Sequence, residues 1–255
     1  MTHRILILGG TIEARQLARH LATRPDFDVT LSLAGRTRSP AAQAVAVRSG
    51  GFGGAKGLAD YLVAQRIGLL VDATHPHAAR ISANAAQAAA ATGVEVVALR
   101  RPAWMPSPGD RWVPVDSPEQ AVHALGTRVR RVFLALGRQE VSAFDAAPRN
   151  FYLVRSIDPV EPPLAASDAV YVLARGPFRE ADERELLGRH RIDAIVCKNS
   201  GGAAAAAKLA AARDLGIEVF MINRPPLPEM PGAEDVEGLL AMIDHRLAPD
   251  TKRGV

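Results

Sequence analysis

Cysteine is nearly absent from this chain: Cys197 is the single one among 255 residues. One cysteine excludes a disulfide framework and a cysteine-rich zinc site, and it is typical of a reducing compartment. No uninterrupted apolar run approaches the roughly 20 residues of a membrane span. The opening "MTHRILILGG" also lacks the charged region and cleavage site of a secretory signal. We therefore expect a cytoplasmic protein with no membrane association.

Lysine is scarce as well, because only 4 of the 31 basic residues are lysines and the other 27 are arginines. Arginine pairs bidentately with carboxylates and phosphates, so the net charge of +4 favours an anionic ligand. Compositional bias on helix surfaces is the alternative interpretation. No basic run is interleaved with aromatic residues, which make up 5% of the chain, and we therefore predict no nucleic-acid partner.

The chain does contain a repeated alternation of apolar runs and helical patterns. Runs such as "RILILGG", "DVTLSLAG" and "LLVDAT" are followed by helical segments. This alternation predicts an α/β fold with parallel sheets and helices on both faces. The pattern lapses in the proline-rich "RRPAWMPSPGDRW" and then resumes. We predict two Rossmann-like lobes, residues 1–104 and 110–248, with a ligand cleft between them.

The first apolar run ends in a turn that suits a phosphate group. In "ILILGGTIEARQLA", Gly9 and Gly10 let a pyrophosphate approach the N–H groups at a helix N-terminus. The match to the dinucleotide fingerprint is loose, because Thr11 and Ala14 hold its second and third glycine positions. Thr11 is interpreted either as a hydroxyl donor to phosphate or as the helix N-cap. A plain tight turn is the alternative.

Arginines follow the second apolar run, where dinucleotide-binding units usually carry an acid. The stretch "LSLAGRTRSP" ends its strand at Gly35 and continues with Arg36, Thr37 and Arg38. An acid here accepts from the 2′-hydroxyl of NAD, whereas arginine suits the 2′-phosphate of NADP. We therefore predict NADP or NADPH as the cofactor, with an arginine-rich surface loop as the alternative.

Two further segments follow predicted strands of the first lobe. The stretch "SGGFGGAKGL" is so rich in glycine that it predicts a backbone passing close to a ligand, unless it is a flexible loop.

In "VDATHPHAARISANA", Thr74 and His75 stand at the same edge of the sheet. The pair His75 and His77 raises a zinc hypothesis, but no carboxylate or cysteine pattern accompanies it, so we predict no metal. His75 is interpreted as a hydrogen-bond or proton donor.

The second lobe carries its own loop ahead of an alanine-rich helix, "VCKNSGGAAAAAKLAAARDLG". This loop and helix N-terminus form a second anion cradle, with Lys198 beside it. The order of a P-loop is absent. A capped helix start, with Asn199 or Ser200 as the cap, is the alternative. One cradle per lobe indicates a cofactor on one side and an anionic substrate on the other.

These segments, together with "LRRPAW", "FLALGRQEVSAF" and "ARGPF", resemble the precorrin-6A reductases of cobalamin biosynthesis over nearly the whole chain. The combination of "GGFGG", "DATHP" and "KNSGG" carries most of the likeness. His77 departs from it, since an aromatic residue, commonly phenylalanine, is expected after "DATHP". The resemblance implies NADPH-dependent reduction of a C=C bond in the macrocycle of precorrin-6A, by hydride transfer, to give precorrin-6B.

The resemblance also implies roles for particular residues. The pyrophosphate would lie on Gly9, Gly10 and Thr11, and the 2′-phosphate on Arg36, Thr37 and Arg38. The cofactor would run along Gly53 and Gly54, with Thr74 and His75 nearer the nicotinamide. An anionic tetrapyrrole with acetate and propionate arms would meet His75, Lys198, Asn199, Ser200 and Gly201. His75 and Lys198 are then candidates to donate a proton or polarise the ring, with solvent as the alternative proton source, and neighbouring pathway enzymes are candidate partners.

Two other functions stay open on the sequence alone. One is a non-catalytic NADP-binding regulatory protein, and the other is an NADP-dependent reductase of a different anionic substrate. A short-chain dehydrogenase is disfavoured, because none of Tyr61, Tyr152 and Tyr171 is followed by lysine four residues later. A methyltransferase is disfavoured because "AGRTR" stands where an acid would be expected.

Overall fold

The computed structural model describes residues 2–35 and 42–247, which form two compact units. The first unit runs to Arg101 and resumes at Pro226, and the second is Pro102–Pro225. The sequence pattern predicts a second domain over 110–248 and leaves open which lobe the last helix packs on, whereas in the structure the chain returns to the first unit at Pro226. The physical reason is burial, because Leu239 and Ile243 of the last helix lie in the core of the first unit.

The first unit contains β1 His3–Leu8, α1 Ile12–Ala22, β2 Phe27–Leu33, β3 Ala46–Ser49, α2 Ala55–Ala64, β4 Leu69–Asp72, α3 Ala79–Thr92, β5 Glu95–Leu99, β12 Gly232–Ala233 and α7 Val236–Leu247. Its strands form a parallel sheet with the order β12-β5-β4-β1-β2-β3. This order matches that of a dinucleotide-binding fold, with its crossover between β1 and β4.

Alternating side chains of β1 explain why helices cover both faces of this sheet. Ile5 and Ile7 are buried against α1 and α7, whereas Leu6 and Leu8 are buried against α2 and α3. Neighbouring residues of a strand point to opposite faces, so a continuous apolar run requires two covered faces. The predicted α/β fold with parallel sheets is thereby confirmed.

The second unit contains β6 Arg111–Val115, α4 Pro118–Leu125, β7 Arg131–Ala135, β8 Phe151–Ser156, β9 Asp168–Leu173, α5 Glu180–Arg189, β10 Ala194–Lys198, α6 Ala207–Asp214 and β11 Glu218–Ile222. Two 3₁₀ segments, Val141–Ala146 and Ala203–Ala205, lie in its loops. Its strands also form a parallel sheet, with the order β6-β11-β10-β7-β8-β9.

Two strands lie where the sequence analysis expects none. β6 follows the proline-rich connection and carries Pro114, which an edge strand tolerates because one side of it needs no ladder hydrogen bonds. β12 has only two residues, and Gly232 and Ala233 pair with β5. One of the two edge strands of each sheet therefore comes from a segment without a strand-like pattern.

Among the described residues, no helix combines the length and the apolar character that crossing a bilayer requires.

Cys197 lies in the core of the second unit, packed with α5 and α6, and burial raises the pKa of its thiol. A buried thiol of raised pKa is unreactive, which makes Cys197 a packing residue.

Candidate functional site

The crossover between β1 and β4 brings two loops together at the carboxyl edge of the first sheet. Thr11 joins them, because its hydroxyl donates to the carbonyl of Ala73 at 2.9 Å and accepts from the N–H of Ala14 at 3.0 Å. Thr11 is thus the N-cap of α1, one of its two expected roles. Since its hydroxyl proton points to Ala73, its side chain holds the turns at the point where ligands bind in such sheets.

Thr74, expected to bind cofactor, lies over a buried polar cluster that the sequence analysis did not identify. Its hydroxyl donates to Oδ1 of Asp72 at 2.7 Å, and its N–H donates to the same oxygen at 3.1 Å. The other oxygen of this fully buried carboxylate pairs with Arg100, which also donates to Ser82 at 3.3 Å. Thr74 therefore fixes the turn that carries His75.

The charge of Arg100 determines the ionisation of Asp72. Burial by itself raises the pKa of this carboxyl, but the hydrogen bonds and charge of Arg100, with Thr74 and Ser82, outweigh it and hold the pKa below its ordinary value of 3.8. Asp72 is therefore ionised at neutral pH. This ion pair is one of the internal contacts that shape the carboxyl edge.

We expect this pair to make the first unit sensitive to acid. A lowered pKa contributes stability above the ordinary value of 3.8, and that contribution is lost as the pH falls through the lower folded value. Asp72→Asn should therefore be less stable than the parent at pH 7, with the difference shrinking below about pH 4. Urea unfolding followed by circular dichroism at several pH values measures this, with exposed Asp60→Asn as control. A difference that does not change with pH would contradict the prediction.

His75 is half-buried at the start of the loop after Thr74. Its Nδ1 accepts from the N–H of His77 at 3.2 Å, so the neutral ring carries its proton on Nε2. The two imidazole rings lie 5.5 Å apart. His77 therefore contacts His75 both through its backbone N–H and through its ring.

The second glycine loop is organised by Arg48, which the sequence analysis did not identify. Its guanidinium donates to Oγ of Ser32 and to the carbonyl of Gly50, both at 2.9 Å, and to the carbonyl of Gly51 at 3.0 Å. It also lies 3.8 Å from the centre of the Phe52 ring. Arg48 therefore fixes the loop before Gly53 and Gly54, the residues expected to line the cofactor. In the sequence, the position of Arg48 directly before "SGGFGG" is the feature that could have indicated this role.

Gly50 connects the glycine loop to the end of β2, because its N–H donates to the carbonyl of Leu33 at 2.9 Å. Arg36, Thr37 and Arg38, expected to bind the 2′-phosphate, lie outside the described residues. Within the described part of the first unit, a small open depression lies at the carboxyl edge. It is lined by Thr11, Glu13, Thr74, Pro76, Leu99 and Arg101.

In the second unit, Lys198 ends β10 beside the loop that follows β7. Its ammonium pairs with the carboxylate of Glu140. The other oxygen of Glu140 accepts from the N–H of Gly137 at 3.1 Å. Lys198 and Glu140 thus meet at the crossover of the second sheet, between β7 and β10. Glu140 stands in "LALGRQE", and its pairing with a residue 58 positions further on leaves no local signal.

Asn199, expected to contact substrate, instead binds a backbone segment within its own unit. Its Oδ1 accepts from the N–H of Trp104 at 2.8 Å, and its Nδ2 donates to the carbonyl of the same residue at 2.9 Å. The indole of Trp104 donates to the carbonyl of Gly202 at 2.9 Å. Asn199 therefore orders the loop, and the contact with substrate stays a prediction.

Ser200 and Gly201 complete this loop, and α6 begins beyond it, at Ala207. Gly201 has φ +65°, and a Cβ there would lie 2.1 Å from the carbonyl oxygen of Pro102. α6 has no side-chain cap, since Ala206 is its N-cap and a 3₁₀ turn precedes it. The alternative interpretation of Asn199 or Ser200 as a helix cap is therefore wrong.

A buried lysine lies beneath the same loop. Lys208 is 4% exposed, donates to the carbonyl of Ala205 at 2.6 Å, and lies 4.6 Å from the Trp104 ring centre. Burial lowers the pKa of this ammonium. The first turn of α6 also disfavours a cation. Lys208 therefore places a costly positive charge below residues 202–205.

The chain has clear relatives among known proteins. Residues 4–244 match the family model described as precorrin-6x reductase CbiJ/CobK. The chain belongs to the precorrin-6x reductase family. A precorrin-6A reductase of Sinorhizobium sp is 58% identical over 246 residues, covering 96% of this chain and 94% of the relative. One of Rhodobacter capsulatus is 47% identical over 253 residues, covering 99% of both chains.

A solved structure has the same architecture as this chain. A structure of CobK precorrin-6A reductase superimposes on all of this chain with a TM-score of 0.92 and 47% sequence identity, and all of that chain is covered. The resemblance stated from the sequence motifs is thereby confirmed. The loops described above are thus parts of a precorrin-6x reductase.

Proposed function

We propose that this protein reduces precorrin-6A to precorrin-6B in cobalamin biosynthesis, with NADPH as the hydride donor. Membership of the precorrin-6x reductase family carries the reaction class. The crossover of a Rossmann-type strand order, with two glycine loops at its carboxyl edge, supports a dinucleotide cofactor in the first unit.

The residues of the first unit fit such a cofactor. Added Cβ atoms on Gly10, Gly53 and Gly54 would meet no other atom within 4 Å, so the backbone at both turns is open to a ligand. We assign the pyrophosphate to Gly9, Gly10 and Thr11, where α1 begins and its N–H groups favour an anion. The 2′-phosphate is assigned to Arg36, Thr37 and Arg38, and the length of the cofactor to Gly53, Gly54 and Thr74.

The bound cofactor supplies the hydride, so the protein need only position the substrate and provide a proton. The protonated ring of His75 is one source for it, and the ammonium of Lys198 is another. Asn199, Ser200 and Gly201 belong to the loop that we assign to the substrate. Carboxylate arms on a tetrapyrrole would suit the cation at its start.

The decisive test of this function is turnover. Purified protein, precorrin-6A and NADPH should give a product heavier by two hydrogens, with a change in the absorbance of the macrocycle and consumption of NADPH. A non-catalytic NADP-binding protein would bind NADPH but leave the tetrapyrrole unchanged. A reductase of another anionic substrate would fail with precorrin-6A and yet oxidise NADPH with that substrate.

Arg36→Ala should weaken the use of NADPH much more than the use of NADH. Loss of a charge-assisted contact to the 2′-phosphate should raise the Michaelis constant for NADPH by about tenfold or more. Steady-state kinetics with both cofactors measures this, and Arg19→Ala on the exposed side of α1 is the control. Equal effects on the two cofactors would refute the phosphate assignment.

A further inference from the structure

The ion pair of Lys198 and Glu140 lies where a ligand of the second unit is expected. The side chains are 22% and 29% exposed, so both reach solvent at the carboxyl edge of the sheet. Lys198 is the residue that we assign to the carboxylates of the substrate, yet it already contacts a carboxylate of its own chain. An anionic ligand must therefore share or replace this partner.

The carboxylate of Glu140 has a second hydrogen-bond donor besides Lys198. Gly137 donates its N–H to Oε2 of Glu140 at 3.1 Å, and the N–H of Glu140 donates to the carbonyl of Gly137 at 2.9 Å. These two hydrogen bonds close a short turn that does not involve Lys198. If the ammonium turns to another anion, the carboxylate keeps a donor and leaves no buried unpaired charge, so the exchange is inexpensive.

We infer that Glu140 is a specificity-determining residue that occupies on Lys198 the position of a substrate carboxylate and is displaced by it. This inference rests on the proposed function, since it requires a polycarboxylate substrate. An internal competitor lowers the apparent affinity of any ligand by the fraction of protein in which Lys198 is disengaged. A substrate with many carboxylates makes up this loss through its other contacts, whereas a small monocarboxylate does not.

Glu140→Gln tests the inference, because the amide can still accept from Gly137 while its charge is gone. We expect the Michaelis constant for precorrin-6A to fall about two- to fivefold, the range for a partly exposed ion pair. The Michaelis constant for NADPH should not change. Glu185→Gln, which removes a carboxylate from an exposed pair with Arg189 in the same unit, is the control and should change nothing.

A double-mutant cycle separates competition from support. Lys198→Ala should raise the Michaelis constant for precorrin-6A, and Glu140→Gln should have no further effect in that background. If Glu140→Gln instead raises this constant, or leaves it unchanged in the parent, then Glu140 only positions Lys198 and the inference is wrong.

Failure of the proposed function gives a different result, namely no turnover of precorrin-6A by the parent protein. In that case, fluorescence titration with uroporphyrin, a stable polycarboxylate tetrapyrrole, still measures the exchange. Tighter binding by Glu140→Gln, abolished by Lys198→Ala, would support the exchange. Unchanged or weaker binding would overturn it.

Discussion

Gly57→Ala should disrupt the glycine loop of the first unit and, with it, the binding of NADPH. Gly57 is the third residue of α2, and a Cβ there would lie 1.7 Å from the carbonyl oxygen of Phe52. Because the oxygen that the Cβ meets belongs to the backbone, the clash can be relieved only if the loop or the helix moves. Such overpacking costs roughly 1–3 kcal/mol, which corresponds to a loss of NADPH affinity of about 5- to 140-fold if the loop yields.

A matched control lies in the same loop. Gly51 has open space around its Cβ position, and its backbone does not lie in the left-handed region, so Gly51→Ala should behave like the parent. NADPH titration and urea unfolding followed by circular dichroism compare the two variants. Both tryptophans, Trp104 and Trp112, belong to the second unit, so their fluorescence should stay the same in each. If Gly57→Ala and Gly51→Ala have the same NADPH affinity and the same stability, the close approach of Gly57 to the Phe52 carbonyl is contradicted.

Glu183→Gln should strongly destabilise the second unit. Glu183 is 2% exposed and makes a two-pronged pair with Arg155, which is 8% exposed. The guanidinium also lies 3.8 Å from the centre of the Phe178 ring and 4.8 Å from that of Phe133. Removing the carboxylate leaves a buried cation without its counter-charge, which costs about 3–5 kcal/mol. Tryptophan fluorescence during urea unfolding measures this loss in the second unit.

The same helix supplies the control for this prediction. Glu185 also pairs with an arginine, Arg189, but both side chains are largely exposed. Glu185→Gln should therefore cost less than about 1 kcal/mol. Replacing both buried partners, as Arg155→Met with Glu183→Leu, should restore most of the lost stability, because no charge is then left buried. Similar losses for the two single glutamate variants would show that burial does not determine the effect.

The apolar runs predicted most of the fold, because each central strand is buried on both faces and must be continuously apolar. Where burial is slight, this signal fails: β12 has two residues, and β6 contains Pro114. The return of α7 to the first unit also had no signal. Leu239 and Ile243 give a helical pattern, but no pattern states which sheet the helix covers.

For the candidate site, the sequence located the loops but not the hydrogen bonds within them. Thr11, Thr74 and Asn199 stand where polar residues at strand ends are expected, yet their side chains hold neighbouring backbone or a buried carboxylate. The partners Asp72 and Glu140 are ordinary acids in the sequence. Their importance arises only when folding brings Arg100 and Lys198 to them.

The C-terminal segment has a consequence for biosynthesis of the chain. The ribosome makes the first five strands of the first unit early, but β12 and α7 emerge only after all of Pro102–Pro225. Until then the outer edge of β5 has no partner, and one face of the sheet lacks Leu239 and Ile243. The half of the molecule that is translated first is therefore the half that is completed last.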